Sequence, residues 1–571
     1  MQLNNKYLFI FAISIFLVIS ISGAGMFMND EWVVGQQLDQ LTQGHQLLFN
    51  EGKYGYYANG TIGNYMLVRS NILIYSMALP IISLPMFFIF TSLSTEFTRL
   101  AIILFWGLLG LYIWNYIKNN IFNNIISHFM LIGIISLTII NLLLSTNFIM
   151  SGKYIPYEII PIVFTNILLY GIFSVTCFKI SELLFDDKFK QLVGWILCIS
   201  MTSMIFWSTT LKDHMLIATL IMLICYFNIS CNVDGKYCKL CLVYFISGLI
   251  IWIRPEIGLF VIIGIIIYDF YYCFKYNIYY FIFTSVWLLP GCIFLLLNNY
   301  FVTGNLLSSP FLISFTNQAS VISNQSYNMS TILNQPSGNM INHIISLPIQ
   351  IINTQICNPI EWIKFIFSPS SGALGAVVTL CLFLFGLLVY IKHRPPLSPN
   401  SNFLLITGIC SIIYYVLVSG VYMSTDGGIM PDIRYLTPAY AALTLFALTI
   451  LPYELNYRKI FKNIFIFTPI IIILSLFIIS VYPPAGYTYK SFRIIFHIIS
   501  TLSLSIMMIL LVNDRNNKPI LLERIIPIII ASAFTWQIMI IFIYRLSKSH
   551  YYPMFLPITE LLYKLLFGGL S

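Results

Sequence analysis

Apolar runs of about 20 residues recur from one end of the chain to the other, separated by short polar breaks. Each is long enough to cross a hydrocarbon layer about 30 Å thick. A crossing segment must satisfy its own backbone hydrogen bonds, so the runs predict helices. The short alternating strands of a transmembrane barrel are absent. The predicted spans are 7–28, 99–117, 122–146, 158–179, 191–208, 212–230, 241–253, 256–274, 277–298, 372–391, 402–422, 438–453, 463–482, 493–512 and 525–546. One further run, Asn71 to Ile89, contains Pro80 and Pro85, which weaken a regular helix.

Composition agrees. Hydrophobic residues make up 59% of the 571 residues and charged residues 9%, against about 25% charged in a soluble domain. So few charges cannot make the shell of a soluble protein of this size. The fold class is therefore an all-α membrane protein, a polytopic helical bundle of roughly 15 spans. The net charge of +9 is scattered between apolar runs. That suits membrane topology and not a nucleic-acid-binding face.

Charge also sets the orientation. With a cytoplasmic N-terminus and no crossing at 71–89, the dense basic breaks fall on the inner side, among them Lys6, Lys179, Lys188, Lys190, Lys236, Lys239, Arg458 and Lys459. Basic residues in short loops favour the cytoplasm. A crossing at 71–89 would turn every later loop outward, so this run is expected to be re-entrant or to lie along the outer interface. Segments 29–98, 299–371 and 423–437 are then extracytoplasmic, as are three N-glycosylation patterns at Asn59, Asn324 and Asn328. The first run, Tyr7 to Met28, reads as a retained signal-anchor in a multi-pass protein of the plasma membrane. The 11 cysteines fall mostly inside apolar runs and read as small buried hydrophobes.

Four ionisable clusters interrupt this pattern. Asp30-Glu31-Trp32 follows the first span, and Gly35 to His45 after it suits an amphipathic helix on the membrane, with Leu38 and Leu41 on one face. Lys212-Asp213-His214 separates two apolar runs. Arg254-Pro255-Glu256 breaks an otherwise apolar stretch from Leu240 to Tyr268. Asp432-Ile433-Arg434-Tyr435 opens a late span. Each has a structural reading: a solvated helix end with Trp32 as interfacial anchor, an ordinary loop, an Arg254–Glu256 pair, an aspartate–arginine cap. Charges near a membrane core are costly and usually line a cavity or pair internally. By the topology above all four share one face. Carboxylates to activate a hydroxyl, with cations to hold a departing phosphate, suit group transfer from a lipid-linked phosphate. No Walker loop or G-x-G-x-x-G unit points to a nucleotide.

In order and sidedness these clusters resemble those of the GT-C superfamily of integral membrane glycosyltransferases, which includes protein mannosyltransferases and the lipid A aminoarabinose transferase. The resemblance covers most of residues 1–300 and the later Arg434-Tyr435-x-x-Pro438 motif. It implies a catalytic module over 1–300 with juxtamembrane helices in outer loop 29–98, an outer loop over 301–371, and C-terminal helices over 372–571. It implies Asp30 or Glu31 as catalytic base and Lys212, Arg254 and Arg434 as donor-phosphate ligands. Asp213, His214, Glu256, Asp432 and Tyr435 would support them. The partners would be a polyprenyl-phosphate-linked sugar, a protein or lipid acceptor, and membrane lipids. Some relatives use a divalent metal; this sequence does not demand one and requires no cofactor. The chain departs from the family in the number of spans between the first loop and Asp213, and in having no soluble domain. A transporter or lipid-linked sugar flippase could use the same residues to line a path, and a non-catalytic scaffold could use them structurally.

Overall fold

A computed structural model describes residues 2–25, 31–44, 68–69, 72–73, 76–120, 124–146, 157–201, 204–272, 278–303, 305–307, 363, 366–368, 372–418, 436–451, 455–481, 489–512, 519–547 and 553–567. The first part of the chain forms α1 (Gln2–Ile21), α2 (Glu31–Thr42), a minimal hairpin of β1 (Val68–Arg69) and β2 (Ile72–Leu73), α3 (Ala78–Ser92), α4 (Ser94–Asn120) and α5 (Asn124–Leu143). The middle forms α6 (Ile159–Leu184), α7 (Lys188–Ile199), α8 (Met204–Ser208), α9 (His214–Asp234), α10 (Cys238–Ile253), α11 (Pro255–Tyr272), α12 (Ile278–Ser285) and, after a 3₁₀ turn over Val286–Leu288, α13 (Leu289–Thr303). The last part forms α14 (Ala373–Ala376), α15 (Leu380–His393), α16 (Pro399–Val418), α17 (Thr437–Ile450), α18 (Tyr457–Val481), α19 (Tyr489–Val512), α20 (Pro519–Ser547) and α21 (Pro557–Phe567).

Eight of the described helices are long and apolar enough to cross a membrane. They sort by burial. Helices α6 and α20 are largely enclosed, while α4, α13 and α18 expose large apolar side chains such as Leu104, Leu108, Phe294, Phe465 and Phe477. An apolar surface of this extent requires lipid, not water, as its solvent. The predicted run 191–208 is divided: α7 has 12 residues and α8 has 5, so α7 reaches only about 18 Å. The run 277–298 is likewise broken at the 3₁₀ turn.

The bundle has two distinguishable ends. At one, Lys6 and Tyr7 of α1 meet Glu182 of α6, Lys239 pairs with Asp234, and Lys459 pairs with Glu523 at 2.9 Å. At the other, the chain leaving α1 forms antiparallel hydrogen bonds with the strap that precedes α21: Ala24 N–H donates to Pro553 O and Phe555 N–H to Ser22 O, both at 3.0 Å.

This second end fixes where α1 finishes and α4 starts. The two helices are antiparallel neighbours, with Trp106 Nε1 donating to Ser20 Oγ at 2.9 Å and the rings of Phe9 and Tyr116 stacked at 4.2 Å. Arg99, at the start of α4, donates to Met554 O at 2.9 Å and pairs with Glu560 at 2.7 Å. Met554 bridges Gly23. Residues 24 and 98 are therefore at the same end, as the non-crossing reading of 71–89 requires. In that region stands α3, whose 15 residues extend about 22 Å, packed on α6 and α2.

One core runs through the whole bundle. It joins Trp32 and Val33 of α2, Trp207 of α8, Phe385 of α15 and Trp536 of α20. Close approach of α10 and α13 relies on two glycines: a Cβ on Gly291 would stand 2.0 Å from the carbonyl carbon of Gly248.

Candidate functional site

The connection between α8 and α9, residues 209–213, is where the predicted clusters meet. It is held from three sides. From α6, Asn166 Nδ2 donates to Thr210 O at 2.8 Å and to Lys212 O at 3.0 Å. From the start of α2, Glu31 Oε2 accepts the Leu211 N–H at 3.3 Å. From the break between α10 and α11, Arg254 donates Nε to Asp213 Oδ2 at 2.9 Å and Nη2 to Asp213 Oδ1 at 2.7 Å.

The Arg254 break has a local cause. Pro255 cannot donate a backbone hydrogen bond, so it ends α10 and suits the first position of α11. Arg254 N–H still closes α10 onto Ile250 O, and Arg254 O accepts the first N–H groups of α11, from Ile257 and Gly258. The reversal is tight, since a Cβ on Gly258 would lie 2.5 Å from Ile251 N. The guanidinium projects from this corner toward Asp213, and Nη1 reaches Glu256 Oε1 at 3.5 Å.

The cluster is enclosed. Glu31 is fully buried, and Lys212, Asp213, His214 and Glu256 are each at most 9% exposed. The ring of His214 lies on Trp207, 4.4 Å between centroids. Asp213 precedes α9 yet makes no side-chain cap, because both carboxylate oxygens face Arg254. Burial is the strongest influence on that carboxyl and pushes its pKa up. The charge and hydrogen bonds of Arg254, with His214 and Lys212 beside it, outweigh burial and hold the pKa down to about 2.

Sequence reasoning grouped Glu31, Lys212, Asp213, His214, Arg254 and Glu256, and the structure brings Glu31 and the Arg254–Glu256 corner onto the Lys212–His214 connection. Asp30, Asp432, Arg434 and Tyr435 lie outside the described residues, as do the three glycosylation patterns. Thr437, the first residue of α17, is buried. Among the described residues no group of three or more His, Cys, Asp or Glu side chains stands ready for a metal ion.

Two expectations need correction. The segment after Asp30 is helical, over Glu31–Thr42, but it does not lie with a polar face in water: Gln36, Gln37, Asp39 and Gln40 are as buried as Val33 and Leu38. Trp32 is buried in the core and is no interfacial anchor. A helix lying on lipid wets its polar side, whereas here protein covers both faces. Asn166 was missed altogether. Its signal was present, an amide inside the apolar run of α6, where a polar side chain usually bonds across helices.

No family model and no curated protein matches the chain. Among solved structures it is similar to the crystal structure of ArnT from Cupriavidus metallidurans bound to undecaprenyl phosphate. The TM-score is 0.42 and the identity 9%, covering 94% of this chain and 76% of that one.

Proposed function

We propose that this chain is a membrane glycosyltransferase that moves a sugar from a polyprenyl-phosphate donor to an acceptor hydroxyl. The observation that carries this reading is the single enclosed cluster of Glu31, Lys212, Asp213, Arg254 and Glu256, gathered from three separate connections at one end of a membrane bundle. Isolated charges are costly at such a place, while carboxylates and cations together suit displacement at a phosphate-bearing carbon.

In this reading Asp30 or Glu31 takes the proton of the acceptor hydroxyl. The acceptor oxygen attacks the anomeric carbon in line, and the bond from that carbon to the donor's phosphate oxygen breaks with inversion. The electron pair leaves on polyprenyl phosphate, whose negative charge Lys212 and Arg434 stabilise. Arg254 has a different part from the one its sequence suggests. Its planar fork is already occupied by Asp213, so it orients Asp213, and a phosphate would have to displace a carboxylate to reach it. The acceptor is a protein or a lipid, and neither a metal nor another cofactor is required by this scheme. In this reading the basic end, with Lys6, Lys239 and Lys459, faces the cytoplasm and the cluster lies on the extracytoplasmic side of the plasma membrane, a sidedness that the preference of basic short loops for the cytoplasm supports.

The test is mass spectrometry of surface glycans and of the lipid-linked sugar pool in cells lacking the gene. One sugar should disappear from the surface while its polyprenyl-phosphate form accumulates. The wild-type gene should restore it and Asp30→Asn with Glu31→Gln should not. Restoration by that double variant overturns the assignment.

A further inference from the structure

The connection 209–213 alternates its backbone between two neighbours. The carbonyls of Thr210 and Lys212 turn to α6 and the N–H of Leu211 turns to α2. The segment is a run of turns and bends in which Lys212 N–H reaches Thr210 Oγ1 at 3.4 Å, so neither a helix nor a sheet ladder fixes these carbonyls. On the α6 side a single carboxamide meets both carbonyls. Only a primary amide or a cation offers two hydrogens from one compact group. A serine or threonine at position 166 has one, and would leave a carbonyl of a buried segment unmet.

Asn166 itself is fully buried, seven residues into α6 from Ile159, which is about 10 Å along the axis. Its Oδ1 is buried with no hydrogen-bond partner. An amide in an apolar helix that leaves one of its own atoms unsatisfied is an expensive way to fill space. What that cost secures is the direction of the backbone that carries Lys212 and Asp213.

We propose that Asn166 is a positioning residue: by holding Thr210 O and Lys212 O it aims Lys212 at the donor phosphate and Asp213 at Arg254. This rests on the glycosyltransferase reading for the identity of the ligand, and on geometry alone for the alignment of Asp213. The two parts can be separated by experiment.

The probe is polyprenyl phosphate without a sugar, titrated into the purified full chain in detergent, together with infrared titration of the Asp213 carboxyl, assigned by subtraction of Asp213→Asn. In Asn166→Leu, which keeps the branched shape and loses both hydrogens, polyprenyl phosphate should bind at least ~10-fold more weakly, and the Asp213 carboxyl should titrate at a higher pH than in the wild type. Asn166→Ser, with one hydrogen, should fall between, and serves if the leucine variant does not fold. A merely space-filling role would lower thermal stability and move neither reading. Binding and titration both within twofold of wild type in a folded variant overturn the proposal. Failure of the wild type to bind polyprenyl phosphate counts against the glycosyltransferase reading, and the Asp213 titration then decides the role of Asn166 by itself.

Discussion

Arg254 and Asp213 meet through two parallel hydrogen bonds, with all of the fork's near side on one carboxylate and Glu256 behind it. The pair joins two connections that are 41 residues apart in sequence, and both side chains are largely withdrawn from solvent. Removing either partner strands a buried charge, at a cost of about 3–5 kcal/mol. Asp213→Ala and Arg254→Ala should therefore each lower the unfolding midpoint in detergent substantially. The double variant should lose less than the sum, since the stranded charge is gone. Additive losses would mean that the pair contributes nothing as a pair. Arg254→Lys should rescue only in part, because an ammonium cannot make the two-pronged contact.

The same pair makes a pH prediction. The Asp213 carboxyl sits at about 2 in the folded chain against an ordinary value of 3.8. A depressed carboxyl stabilises the fold fully above its unfolded value, and the gain fades as pH falls through the folded one. The stability difference between wild type and Asp213→Asn should be constant from neutral pH to about 4 and shrink toward pH 2, by roughly 2 kcal/mol in all. Denaturation at stepped pH measures it. A difference that grows with acid would reverse the sign and refute the ion-pair account.

Gly291 and Gly248 supply a packing prediction. An alanine at 291 would drive its Cβ into the Gly248 carbonyl and should cost about 1–3 kcal/mol by overpacking. At Gly133, inside α5, nothing lies within 4 Å of a built Cβ, so Gly133→Ala adds no clash and, with alanine the better helix former, should hold or slightly raise stability as the control. Thermal unfolding of the two variants side by side is the check.

Orientation can be read chemically. Helix α13 runs parallel to α10, with Leu288 and Gly291 beside Gly248 and Phe294 beside Trp252. Exposed Leu307 accordingly follows a helix that ends near the cluster, while exposed Cys238 starts α10 at the basic end. In a chain whose predicted outer-loop Cys357 is replaced by serine, a membrane-impermeant maleimide on intact cells should label Leu307→Cys combined with Cys238→Ser, and should label native Cys238 only after permeabilisation. The opposite pattern would invert the protein in the membrane.

A good part of this was legible in the chain. Helix positions follow from apolar runs because the length of a run and the backbone's need for internal hydrogen bonds are both local properties. The non-crossing of 71–89 was legible from charge alone, and the antiparallel contacts of α1 and α4 agree with it. What sequence could not convey was how side chains engage across helices. For Arg254 the sequence offers a pair with Glu256 and, by resemblance, a phosphate ligand; its bidentate partner Asp213, 41 residues away, leaves no local mark. Gln37, Asp39 and Gln40 read as a wetted face because periodicity reports which residues share a side, not what covers it. Asn166 went unread because its two acceptors are backbone carbonyls 44 and 46 residues away, and carbonyls carry no residue signature.

Arg99 holds the C-terminal strap through Met554 O and Glu560, and is itself buried. Arg99→Met should free residues 553–567 without unfolding the bundle, which limited proteolysis with a C-terminal tag would detect as early loss of the tag. Loss of the whole fold at the same protease dose would instead make the strap part of the core.

That strap also bears on the order of assembly. Of residues 22–24, on the approach to Glu31, Ser22 N–H closes onto Ile19 O, while Ser22 O and Ala24 N–H find their backbone partners in residues 553–555, which follow α20 in the chain. During synthesis the first connection lacks this clasp while the helices through α20 insert. The segment that leads to the cluster is thus fastened only once the rest of the bundle is present, so a chain truncated before residue 553 would carry every helix through α20 and still lack the clasp on its first loop.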